Sequence, residues 1–230
     1  MPVCGIDGIK GGWVIVEMED GTFTKARIVQ TKEIPGVIAK KDLALIDIPI
    51  GICEHTWRDV DAQAKKLLAH RHASVFAIPP RAVIQGVKDY KEALNRSKKL
   101  TGKGFSKQAW NILPKIMEVE ELLLSGAIPP GRLRETHPEL CFLTLNHSTP
   151  LPSKHTEEGK TTRMKILQRY TTNTPVFINK NSNLCSICDI MDAMICALCA
   201  ELVLKNGEKV IGGKKDSKGL VMEIVLPQPI

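Results

Sequence analysis

The sequence predicts an α/β protein built on one mixed sheet, and three observations carry that expectation. The first forty residues hold three short segments of alternating or apolar β-formers separated by turn residues, the pattern of an antiparallel meander. Leu43–Ile48 (Leu-Ala-Leu-Ile-Asp-Ile) is a nearly continuous apolar run, as expected of a strand buried on both faces of a sheet. The remainder alternates helical stretches with two further strand candidates. At 230 residues the chain has room for one large domain with a generous insertion, and two full domains would be crowded.

Taken in order, Val3–Asp7 is the first strand and Asp7–Gly12 is rich in turn residues. Trp13–Met18 alternates as the second strand, Asp20-Gly21 turns, and Thr22–Gln30 forms the third. Thr31–Lys41 reads as a short helix with a Pro-Gly interruption, before the buried strand ending at Pro49-Ile-Gly51. Residues 52–131 form a mainly helical insertion, with helices over Val60–His70, Asp89–Leu100 and Ser106–Ser125. Leu133–Thr136 is a short strand, followed by a helix from His137-Pro138-Glu139 to Leu145. The loop Ser148–Lys154 leads to a charged helix over Glu157–Tyr170 and an apolar helix over Ser186–Leu204. Gly212–Gly219 reads as a loop and Leu220–Leu226 as a final strand. Three hairpin-linked strands followed by crossovers give strand order 3-2-1-4-5 with flanking helices, the ribonuclease H-like arrangement. The actin-like ATPases begin each half in the same way, so fold alone does not separate those functions.

Composition narrows the classes. No apolar run approaches the ~18–20 residues of a membrane span. The N-terminus carries neither a basic n-region nor an apolar h-region, so no membrane association and a cytoplasmic location are expected. The formal charge of +7 is compatible with a polyanionic partner, nucleic acid above all, but the basic residues are spread along the chain. Aromatic residues are only 4% of the chain, which argues against a base-stacking platform.

Seven cysteines, an odd number without a signal peptide, are expected to be reduced thiols. Cys185, Cys188, Cys196 and Cys199 form two C-x-x-C pairs. On one helix those pairs would lie about 16 Å apart at ~1.5 Å per residue. A tetrahedral zinc site with bonds of ~2.3 Å cannot bridge that distance, so small buried apolar residues are the better reading.

Three acids stand where an apolar setting makes a carboxylate expensive. Asp7 ends the first strand, Asp47 lies inside the most apolar strand, and Asp192, with Asp189 three residues earlier, lies on the most apolar helix. Each needs a partner, a proton or a metal ion. In the 3-2-1-4-5 order the first and fourth strands are neighbours, so Asp7 and Asp47 would lie side by side and call for a cation, Mg2+ or Mn2+. Structural alternatives stand beside these readings. Asp7 before Gly8 fits a turn, Asp47 fits a strand end, and Asp189 three residues after Ser186 fits a helix cap. Glu139 after Pro138 fits a first-turn acid.

Several motifs in order carry a family resemblance: Gly5-Ile-Asp-Gly-x-Lys-Gly-Gly-Trp13, Ile46-Asp-Ile-Pro-Ile-Gly51, Ser74-Val-Phe with Pro79-Pro-Arg81, and Thr101-Gly-Lys-Gly-x-Ser-Lys-Gln108. Trp110-Asn-Ile with Pro114-Lys-Ile116, Arg134-Glu-x-His-Pro-Glu139 and Asp189-x-x-Asp-Ala193 follow. Together they strongly resemble the DUF429 family, described as predicted nucleases with a ribonuclease H-like fold, from about residue 4 to Val225. The resemblance implies a metal-dependent nuclease whose acids are Asp7, Asp47 and the Asp189/Asp192 pair, the latter similar to those of RuvC-type resolvases. Lys10, Arg81, Lys103 and Lys107 suit phosphate binding, and Gln108 and His137 are hydrogen-bonding candidates at the same mouth. A solvated basic loop and a buried structural His are the alternatives.

The expected chemistry is two-metal-ion hydrolysis of a nucleic-acid phosphodiester, with Asp7, Asp47 and Asp192 as metal ligands and Asp189 and Glu139 beside them. One alternative is a non-catalytic nucleic-acid or protein binding module on the same fold. Another is an actin-like nucleotide-binding phosphotransferase, which would need a duplicated fold that this length hardly accommodates.

Overall fold

A computed structural model describes residues 1–228, apart from the side chain of His70. Strands β1 (Val3–Ile9), β2 (Gly12–Glu19) and β3 (Thr22–Val29) form the meander. The β2–β3 turn is Asp20-Gly21 with both residues at positive φ, 48° and 78°, as a two-residue hairpin of matching twist requires. A single 3-10 turn over Thr31–Glu33 and the short helix α1 (Ile34–Ile38) carry the chain to β4 (Leu43–Asp47), which pairs parallel to β1. Pro35 sits at the start of α1, so the helix begins there and not at Thr31.

Between β4 and β5 (Leu133–Glu135) the chain is mainly helical: α2 (Asp59–Leu68), α3 (Arg81–Ile84), α4 (Tyr90–Thr101) and α5 (Lys107–Leu124). Helix α2 stops two residues before the predicted end, where Ala69 takes φ +43° and a 3-10 turn runs to Ser74. Ser106 caps α5 by accepting from the Ala109 N–H. Beyond β5 come α6 (Pro138–Leu145), α7 (Glu157–Gln168), α8 (Thr174–Asn181) and α9 (Ile187–Asn206). Helix α8 has no counterpart in the sequence reading. The hairpin β6 (Glu208–Lys215) and β7 (Val221–Pro227) completes the described chain.

The main sheet has the order β3-β2-β1-β4-β5, and the terminal hairpin is a separate two-stranded sheet. This corrects the reading of Gly212–Gly219 as a loop, because Gly212–Lys215 belong to β6. That strand was hidden because only Ile211 is buried and two glycines interrupt it, so it shows no alternation. Its register shifts between Gly212 and Lys214, where Gly212 at φ +88° supports the irregularity.

Alternation along the strands divides the core. Val3, Val14, Val16, Leu43 and Leu45 face α9, whose residues from Ile190 to Val203 are buried all round. Cys4, Ile6, Ile15, Ala44 and Ile46 face α1 and α5, meeting Ile34, Ile38, Leu113 and Ile116. Helices therefore cover both faces. Cys196 and Cys199 are buried on α9, Cys185 and Cys188 are part-buried at its start, and all seven cysteines are free thiols. Cys185 precedes the helix instead of lying on it.

Candidate active site

The two-residue period of a strand decides where the acids point. Asp7 falls on the same face as Val3, and Asp47 on the same face as Leu43 and Leu45, so both carboxylates face α9. The parallel register makes Asp7 and Asp47 direct Cα partners at the ends of their strands. Gly5 then sets the distance to the helix. A Cβ at this position would lie 2.1 Å from the Ala193 carbonyl oxygen and 2.2 Å from the Ala197 nitrogen. Only glycine lets α9 lie this close to β1, and Ala193 is the residue after Asp192. The strand register and this one contact bring Asp192 within electrostatic reach of Asp7 and Asp47.

The electrostatics follow from the packing. Burial, then repulsion from Asp47, Asp192 and Asp189, raises the Asp7 carboxyl well above its usual range. Burial raises Asp47 to about 7, against the pull of Lys154. Burial raises Asp192 to about 6, again opposed by Lys154. Lys154 Nζ donates to Asp192 Oδ2 at 2.5 Å. Burial disfavours that ammonium, but Asp192, Asp47 and Asp7 outweigh it and keep Lys154 charged. One lysine thus faces three acids. Asp7 Oδ1 also accepts from the Gly8 N–H at 2.7 Å, the turn-like interaction its sequence position suggested.

Two cavities open at these strand ends. One of about 260 Å3 is lined by Asp7, Asp47, Asp61, Lys115, Glu135 and His137, among others. The other, of about 550 Å3, is lined by Asp47, Arg71, His137, Glu139, Lys154 and Asp192. Asp61 and Glu135 both bind the buried guanidinium of Arg58, which neutralises much of their charge. Burial still raises Glu135 to about 7. Lys115 stands on the opposite side of the sheet end, its Nζ 4.0 Å from the Trp13 ring centroid and donating to the Gly12 carbonyl. Burial lowers its pKa, partly offset by Glu118 and Asp7.

The residues named from the sequence separate into groups. Asp7, Asp47 and Asp192 come together. Asp189 stands half-buried in the first turn of α9 with its N–H capped by Ser186 Oγ, and its charge reaches Asp7. Glu139 lines the larger cavity, but both its oxygens accept from Arg163 Nη2 at 2.7 and 2.8 Å in a buried pair. His137 borders both cavities, its Nε2 3.3 Å from the Ser74 carbonyl, and burial lowers its pKa. Arg81 is committed elsewhere, in a two-bond pair with Glu120 at 3.1 and 2.6 Å. Lys10, Lys103, Lys107 and Gln108 are exposed. Lys107 lies one turn before Asn111, which lines the smaller cavity. Lys154 and Arg163 were missed, because nothing in a polar loop or a charged helix marks which cation will meet a distant acid. Lys115 lies within Pro114-Lys-Ile116, so a signal for it was present.

The carboxylates supply hard oxygen donors under mutual repulsion, which suits a divalent cation of the Mg2+ or Mn2+ class. Among the described residues no three His, Cys, Asp or Glu side chains are already arranged around one point as a metal site. Lys154 already holds Asp192 Oδ2, so a cation entering there meets a resident ammonium. No helix among the described residues is long and apolar enough to cross a membrane.

The order β3-β2-β1-β4-β5, helices on both faces and acids at the ends of β1 and β4 define a ribonuclease H-like α/β protein with a buried carboxylate cluster. Residues 5–216 match the family described as "Protein of unknown function (DUF429)", and the chain belongs to that family. It matches no curated protein and no solved structure.

Proposed function

We propose that the protein is a metal-dependent nuclease that hydrolyses nucleic-acid phosphodiester bonds at the Asp7–Asp47–Asp192 cluster. The observation that supports this most is the pairing of Asp7 with Asp47 on adjacent strands beside Asp192, with the Lys154 ammonium bonded to Asp192 alone. A fold that spends stability on such repulsion gains most from a site for a cation. Asp7, Asp47 and Asp192 would hold Mg2+ or Mn2+. When bound, such an ion supplies an activated water and charge stabilisation at the phosphate. The protein's own contribution is to hold the three carboxylates on rigid elements, two on strand ends and one on a buried helix. Lys154 serves as the resident counter-ion, keeping Asp192 ionised between encounters. Lys115, free of a carboxylate partner in the described structure and facing the smaller cavity, would orient a phosphate oxygen.

The test is cleavage of labelled single-stranded and duplex DNA and RNA with Mg2+, Mn2+ or EDTA. Cleavage should need the divalent ion and fall at least a hundredfold in Asp47→Asn. A parent protein that neither binds a divalent ion nor cleaves any of these polymers would overturn the reading. The Lys154–Asp192 ion pair favours one second reading, a binding module whose acids are neutralised internally, and that result would leave it in front.

A further inference from the structure

The larger cavity at the acid cluster does not close on itself. Arg71 and Glu139 line it and also line a neighbouring cleft of about 460 Å3 between α2, α6 and the terminal hairpin. That cleft carries Lys66 on α2 and Lys209 on β6, and its floor includes Leu68, Leu140 and Leu226, all buried. The charge balance along the way is positive. Glu139 is the one acid that lines the cleft, and Arg163 already takes both its oxygens, so Arg71, 3.6 Å from one of them, keeps most of its charge. Lys66 and Lys209 are exposed and make no ion pair among the described residues.

We infer that a single strand of nucleic acid leaves the acid cluster through this cleft, its phosphates passing Arg71, Lys66 and Lys209 and its bases lying towards the leucine floor. The inference rests on the nuclease reading for its starting point and adds the path, the strandedness and the residues. Each of the two cavities has the volume of a small-ligand site, enough to seat a nucleotide unit. No aromatic side chain among the described residues lines the cleft, so the match is not one of base stacking: basic side chains beside an apolar floor suit an unpaired strand, with phosphates towards the cations and base faces towards the leucines. The exposed Lys103 and Lys107, which sequence alone suggested for this role, line neither of these cavities.

The test measures binding, without hydrolysis, of a fluorescent single-stranded oligonucleotide in EDTA as salt is varied. The double variant Lys66→Glu/Lys209→Glu is compared with Lys103→Glu/Lys107→Glu, which changes the net charge equally. The first should weaken binding at least tenfold and reduce the log–log salt slope by about 1.4, at ~0.7 for each single-strand phosphate that is no longer neutralised. The second should change affinity by less than threefold. Equal losses in the two variants, or a larger loss in the second, would overturn the path. Equally tight binding of a blunt duplex, weakened in the same way by Lys66→Glu/Lys209→Glu, would overturn the single strand. Absence of binding by the parent protein would overturn both. The nuclease reading is judged apart from this, by divalent-dependent cleavage and by the effect of divalent ions on stability. A path confirmed in a protein that never cleaves would remove the reading and keep the cleft.

Discussion

Replacing Asp47 with Asn tests the carboxylate cluster through stability as well as activity. The substitution keeps the shape and removes one of two charges on directly paired residues. The Asp47 side chain makes no hydrogen bond in the described structure, so little is lost. Its carboxyl is raised from 3.8 to about 7, with burial the first cause. The sign follows from proton binding. Between those values the folded protein holds a proton that the unfolded chain has released, so stability falls as pH rises through this window and stays at its lower level above it. At pH 8 the full shift corresponds to on the order of 4 kcal/mol. Asp47 keeps some solvent access that screens the charge, so about 2–4 kcal/mol is the expected gain in Asp47→Asn. At roughly 3 °C per kcal/mol for a chain of this size, the apo variant should melt about 6–12 °C above the parent at pH 8. The difference should vanish near pH 4. Calorimetry in EDTA and in millimolar Mg2+ or Mn2+ reads both effects. The ion should raise only the parent's Tm, by the equivalent of about 2.7 kcal/mol at a hundredfold excess over Kd. A variant less stable than the parent at pH 8, together with a parent indifferent to both ions, would refute the argument.

Three further outcomes are expected. Gly5→Ala places a Cβ against the backbone of Ala193 and Ala197, which cannot rotate away, so urea unfolding should show a loss of about 3 kcal/mol and any divalent-dependent stabilisation should weaken as Asp192 is displaced. Lys154→Met leaves Asp192 without its cation and should cost about 2–3 kcal/mol at pH 8, its side chain being partly exposed. Without Lys154 the Asp192 carboxyl rises further, so the loss should shrink as pH falls towards the parent Asp192 pKa of about 6, and Mg2+ should stabilise this variant more than the parent. Glu139→Gln breaks the buried pair with Arg163 and should cost about 3–5 kcal/mol in chemical unfolding, whereas a carboxylate free to act in catalysis would be replaced at little cost to stability.

Much of this architecture was legible in the chain. The Asp-Gly turn, the alternating strands and the doubly apolar Leu43–Ile48 run specify the meander and its parallel neighbour, because local backbone preference and hydrophobic period agree there. The same reasoning named Asp7, Asp47 and Asp192, since a carboxylate in an apolar run is conspicuous in any sequence. Helix α8 and strand β6 were not legible. Strand β6 is a mostly exposed edge with two glycines, held by its partner and not by its own pattern. The choice of cations was equally hidden. Arg81, part of a promising motif, turns to Glu120, and Glu139 turns to Arg163, while Lys154 reaches the acids from an unremarkable loop. Ion pairs between distant residues depend on which faces the packing brings together, and that is a property of the fold. By itself the sequence determined the strands of the sheet, their order and the acids that would be costly to bury. The strand order already paired Asp7 with Asp47 and the family resemblance added Asp192; the tertiary structure supplied the physical means, the contact of Gly5 with α9, and alone decided that Lys154 balances the cluster.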